Sequence, residues 1–135
     1  MVREESGLLF PKPPKKEKKP RKPLRYRRKG KRTIKTVSIM QINKTQCYLC
    51  GRWNPGGLDA LEEHHIFEGN GRRAVSEKYG LKVYLCGCTC HREGPNSVQK
   101  NPEVDLRLKQ EAQRRFEKQC GSRADFIREF GKSCL

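Results

Sequence analysis

The chain has 135 residues, with 31 Lys or Arg against 15 Asp or Glu, a formal charge of +16, and only 33% hydrophobic residues. That length fits one small domain with a tail and excludes two ordinary domains. No run of about 18 apolar residues is present to span a bilayer, and the N-terminus lacks the apolar stretch of a secretory signal, so a cytoplasmic protein acting on a polyanion is expected.

Residues 1–35 are predicted to form a disordered basic tail. Pro11, Pro13, Pro14, Pro20 and Pro23 interrupt any helix, and the cations from Lys15 to Arg32 repel one another. Such a segment cannot bury enough apolar surface to offset its chain entropy. Acidic compensation is nearly absent, so Lys29, Lys31, Arg32 and their neighbours suit sequence-independent phosphate contact by counterion release.

The folded part is expected over 36–135. Residues 36–43, with β-branched Val37, Ile39 and Ile42, read as a short extended segment. Residues 47–50 read as a tight knuckle, and Asn54-Pro55-Gly56-Gly57 as a turn. Residues 58–67 read as a strand carrying His64 and His65 near its end, and 69–80 as a loop holding a short helix at 74–79. A second strand at 82–85 runs into the next cysteines. Asn101 is a suitable N-cap, Pro102 suits the first helical position and Glu103 suits the dipole. Val104, Leu108, Ala112 and Phe116 then recur every four residues as an apolar stripe. Gly121 ends that helix, Ser122 and Asp125 start another with Phe126, Ile127 and Phe130 as its buried face, and Gly131 ends it. The fold class is therefore α+β, with two short strands followed by helices at about 101–131.

The seven cysteines are odd in number, and in a reducing compartment clustered cysteines are metal ligands more often than disulfides. Cys120 and Cys134 stand apart and read as free thiols. Cys47 and Cys50 supply two thiolates from a single turn, and Cys86 and Cys90 supply the other half of a four-cysteine structural zinc site. Cys88 can replace Cys86 as ligand or point away. All three histidines fall in the same stretch: His64 and His65 alternate across a strand, and His91 follows Cys90 directly. One histidine of the pair can then hold a second ion while the other works on a nucleophile, and the zinc knuckle can bring His91 opposite His64. Arg72 and Arg73, in the loop after His65, are candidate phosphate clamps.

Cys47-x-x-Cys50, Leu61-Glu-Glu-His-His-Ile-Phe67 and Val83-Tyr-Leu-Cys86-x-x-x-Cys90-His91 together resemble the zinc-containing HNH endonucleases of the ββα-metal fold, above all the small ones encoded by phages and prophages. The resemblance covers roughly residues 36–135. It implies a DNA endonuclease in which His64 and His91 hold a catalytic divalent ion, Mg²⁺ first with Mn²⁺, Ni²⁺ or Zn²⁺ as alternatives, and His65 is the general base. It also implies a place in phage DNA processing or recombination, in the cytoplasm of a bacterial host. The chain departs from the family pattern in having no Asn near Leu81, where the middle residue of the motif stands; Asn70 lies earlier in the loop. A further ion ligand, Asn96 or water, is expected after His91. The competing reading is a non-catalytic zinc ribbon that binds nucleic acid with the same cysteines and the same tail. That reading leaves His65 without a use.

Overall fold

The computed structural model describes residues 35–135, so all of the basic tail but its last residue, including Lys29, Lys31 and Arg32, lies outside the described residues. Strand β1 is Leu61–His65, helix α1 Arg72–Tyr79, strand β2 Lys82–Cys86, helix α2 Pro102–Gln119 and helix α3 Arg123–Phe130. A 3₁₀ turn at Gly57–Asp59 leads into β1, and a wide turn at Gly87–Arg92 follows β2. The described body is thus a small α+β fold. Its two strands pair antiparallel, Leu61 facing Cys86 at one end and His65 facing Lys82 at the other.

β1 is shorter than the 58–67 expected. Gly56 and Gly57 both take positive φ and curl the chain into the 3₁₀ turn before the ladder begins. α1 begins two residues earlier than expected, after Gly71 in the left-handed region. Residues 36–43 form no strand. They run beside β2 through side-chain bonds: Ser38 Oγ donates to the Lys82 carbonyl, and Tyr84 N–H donates to Gln41 Oε1 at 2.8 Å. Gly80 makes this approach possible. It ends α1 at φ +67°, and a Cβ there would stand 2.2 Å from the Val37 carbonyl oxygen.

The core lies between β2 and the C-terminal helices. Leu81, Val83 and Leu85 are fully buried, as are Ala112 and Phe126, with Ile66 and Phe116 almost so. Each large apolar side chain buried this way contributes about 1.5–3 kcal/mol relative to exposure. Val104, Leu108, Ala112 and Phe116 turn inward as the four-residue spacing requires, Val104 only partly. Asn101 Oδ1 accepts the Glu103 N–H at 3.0 Å, and Ser122 with Asp125 forms a reciprocal capping box. Phe67 meets Phe126 and Phe130 at ring-centroid distances of 5.5 and 4.5 Å, which docks the end of the β1 segment on α3. Ile127 departs from expectation: it is 41% exposed. Phe126 and Phe130, four apart, define the inward stripe, and Ile127 sits about 100° around the helix from Phe126.

Candidate metal centres

Four sulfurs converge at one end of the hairpin. Those of Cys47, Cys50, Cys86 and Cys90 all lie within 4.8 Å of one another, with Cys50 and Cys86 at 3.6 Å. A tetrahedral zinc with bonds near 2.3 Å places its sulfurs about 3.8 Å apart, so the set fits a structural metal. The thiol chemistry fits as well. Burial pushes Cys50 up, but hydrogen bonds from Arg52, Cys47 and Cys86 outweigh it and bring that thiol down to about 6. Burial and the neighbouring sulfurs push Cys86 up to about 12, and Cys90 also upward. Four thiols crowded together resist ionising jointly, and a bound dication removes that resistance.

The turn after β2 selects its ligands. Its hydrogen bond from Glu93 N–H to the Cys88 carbonyl spans five residues, at 2.8 Å, giving the wide π-type turn that recurs at functional sites. Asp59 accepts the N–H groups of Cys88 and Thr89 at 3.0 and 2.7 Å, together with the Thr89 hydroxyl at 2.6 Å. Held so, Cys86 and Cys90 enter the cluster and half-buried Cys88 stays outside it. Arg52 donates to Asp59 at 3.0 Å and to the Cys86 sulfur at 3.6 Å, tying the first knuckle to the second. Cys120 is exposed and Cys134 half-buried, both free thiols.

A second cluster forms where His91 leaves that turn. The His64 and His91 rings stand 4.9 Å apart, centroid to centroid, and with Glu68 their ligating atoms lie within 4.8 Å of one another. His91 Nδ1 is 2.9 Å from Glu62 Oε2. A carboxylate only accepts, so Nδ1 carries the hydrogen and Nε2 keeps its lone pair. That Nε2 is buried without a hydrogen-bond partner among the described residues, as are both ring nitrogens of His64. Glu68 Oε1 approaches His64 Nδ1 to 3.3 Å without hydrogen-bond alignment. Burial first, then the His91, His65 and Lys109 charges, pulls His64 down to about 4. Buried unpaired ring nitrogens are costly, and two imidazoles with a carboxylate are a donor set for a divalent ion.

His65 faces a different environment. Its Nε2 lies 2.6 Å from Glu77 Oε2 on α1. Lys82, its partner in the strand register, is 2% exposed and reaches Glu77 Oε1 at 2.9 Å and Glu63 Oε2 at 3.4 Å. The two environments open onto adjoining clefts. One of about 350 Å³ is lined by His64, His65, Glu68 and His91, and one of about 470 Å³ by His65, Lys35, Gly71 and Glu77; Glu63 and Arg73 line both.

The structure therefore brings His64, His65, His91 and Arg73 together and separates Arg72 from them. Arg72 lines a third cavity with Phe130 and Lys132 at the end of α3. Asn96 does not reach the histidines; it lines a cavity under α2 with Tyr48 and Asn101. Glu68 is the residue that stands with His64 and His91 instead. Glu62, Glu68, Glu77 and Lys82 went unread in the sequence, although Glu62 shares a strand face with His64, and Glu63 with His65, at the two-residue period. Compared with protein-family models, curated proteins and solved structures, the chain matches none.

Proposed function

We propose that the chain is a metal-dependent DNA endonuclease of the zinc-containing HNH kind, with Cys47, Cys50, Cys86 and Cys90 holding structural zinc. The observation that carries this reading is the pair of buried imidazoles, His64 and His91, whose unpartnered nitrogens converge with the Glu68 carboxylate beside a third histidine that is held by a carboxylate of its own. A nucleic-acid-binding ribbon has no need of that arrangement.

His64, His91 and Glu68 hold the ion, and Glu62 fixes the His91 tautomer. The ion, when bound, supplies Lewis-acid stabilisation of the charge on the phosphate and the leaving oxygen. His65 takes the proton from the attacking water. The Arg73 guanidinium, which has no ion pair among the described residues, binds a non-bridging phosphate oxygen in the cleft it shares with all three histidines. Two imidazoles and one carboxylate favour Mn²⁺, Ni²⁺ or Zn²⁺ ahead of Mg²⁺, whose preference is for oxygen. The tail residues, Lys29, Lys31 and Arg32 among them, add salt-dependent affinity for the backbone.

The test is nicking of supercoiled plasmid by the full chain, in EDTA and then with each of the four ions, with His65→Ala alongside. Ion-dependent nicking that the substitution removes supports the reading. Tight, salt-sensitive DNA binding with no nicking under any ion refutes it in favour of the zinc ribbon.

A further inference from the structure

Among the described residues, one ring nitrogen of His65 has a hydrogen-bond partner and the other has none. Nε2 meets Glu77 Oε2 at 2.6 Å. That carboxylate is gripped from two further sides: Lys82 Nζ stands 2.9 and 3.1 Å from its two oxygens, and the Thr36 N–H donates to Oε1 at 2.9 Å. Partial burial pushes Glu77 up, but the bonds from Lys82, His65 and Thr36 outweigh it and hold the group at about 2. It is therefore an ionised acceptor. The hydrogen shared with the imidazole belongs to His65 Nε2, so in the neutral ring Nδ1 holds the lone pair.

A competing use of the same atoms is a second ion site, since Glu63, His65 and Glu77 also offer ligand atoms within 4.8 Å of one another. Lys82 argues against it. Its ammonium touches both Glu77 oxygens, lies 3.4 Å from Glu63 and is almost wholly buried. A cation already occupies the place a dication would take, and the two would repel strongly in so confined a space.

We propose that Glu77 is a positioning residue for His65: it fixes the Nε2–H tautomer, leaving Nδ1 as the free proton acceptor, while Lys82 and the Thr36 N–H fix Glu77. Three separate parts of the chain meet on this α1 carboxylate, namely the end of β1, the start of β2 and the segment at Thr36. The proton's source in water rests on the nuclease reading; the tautomer does not.

Two readouts on the full-length chain test this. Long-range ¹⁵N–¹H correlation on ¹⁵N-histidine protein at neutral pH reads each ring's tautomer directly. His65 is expected as Nε2–H in the wild type and as a mixture of tautomers in Glu77→Gln. Wild-type His65 in the Nδ1–H form overturns the inference, as does a ligation shift of its ring with a third equivalent of divalent ion bound. In plasmid nicking, Glu77→Gln is expected to lower kcat by about 10- to 100-fold with KM nearly constant, and Glu77→Asp to recover part of the loss. A wild type that nicks and a Glu77→Gln variant that nicks equally fast overturn the inference and leave the nuclease reading standing. A wild type that never nicks overturns the nuclease reading, and the tautomer still decides for Glu77.

Discussion

His64 is the residue whose replacement separates stability from function most clearly. It is 3% exposed, and neither ring nitrogen has a hydrogen-bond partner among the described residues. A buried unpaired polar group costs about 1–3 kcal/mol, so without an ion at the histidine cluster His64 is a liability to the fold. Leucine is of similar size and has no polar atom. His64→Leu is therefore expected to stabilise the protein loaded only with its structural zinc by about 1–3 kcal/mol, at about 4–8 °C in Tm per kcal/mol for a body this small. The pH dependence follows with a definite sign. Burial, then the charges of His91, His65 and Lys109, lowers His64 from 6.5 to about 4. The unfolded chain thus takes up a proton below about 6.5 that the native state refuses until about 4, and native stability falls across that window by about 3 kcal/mol. His64→Leu lacks this slope. Adding Mn²⁺ at 100 times its Kd should stabilise the wild type by about 2.7 kcal/mol and leave the variant unmoved. Thermal unfolding by circular dichroism between pH 4 and 7, with and without Mn²⁺, measures all three effects. A variant that melts below the ion-free wild type, or that responds to Mn²⁺ as the wild type does, refutes the reasoning.

Two other substitutions address the zinc and the tail. Cys88→Ser should retain one zinc per chain by elemental analysis, whereas Cys90→Ser should lose it and unfold at a much lower temperature; the opposite pattern would place Cys88 in the ligand set. Deleting residues 1–32 removes 14 of the 31 basic residues, and the slope of log K against log salt for duplex DNA should fall by about 0.9 for each phosphate that the tail had neutralised. An unchanged slope would mean that these residues do not touch the phosphates.

The parts of this fold that were legible in the sequence are those that repeat or pair locally. The Val104–Phe116 spacing, the Asn101 cap and the Ser122–Asp125 box are short-range patterns whose physics is complete within one helix. The cysteine knuckles were legible for the same reason. What the sequence could not distinguish was Cys86 from Cys88, because the choice depends on a turn five residues wide and on Asp59, about 30 positions upstream, holding its N–H groups. Glu62, Glu68 and Glu77 were equally hidden. Acidic residues on strands and helices are common, and these acquire meaning only once the β1–β2 register and α1 bring them against His91, His64 and His65. For residues 36–43 the β-branched side chains signal extended backbone without saying whether a ladder partner exists, and the segment runs beside β2 without forming one.

If the four cysteines hold zinc and the histidine cluster holds a second ion, as proposed, the hairpin makes the two sites interdependent. Cys90 and His91 are neighbours in one turn, so the thiolate that closes the zinc site fixes the backbone from which the His91 ring projects. Glu62, across the turn on β1, holds the same ring from the other side through Nδ1. If zinc leaves, the turn loses its sulfur anchor and His91 loses its register with His64. By reciprocity, an ion held by His64, Glu68 and His91 must oppose zinc loss with the same coupling free energy, and coupling of about 1–3 kcal/mol corresponds to roughly 5- to 150-fold in affinity. Zinc transfer to a chromogenic chelator should therefore be slower in saturating Mn²⁺ than without it. His91→Ala should abolish that protection while leaving all four thiolates in place. Equal transfer rates with and without Mn²⁺ in the wild type would show that the turn transmits nothing, and that the zinc staples the fold without setting the geometry of the histidines.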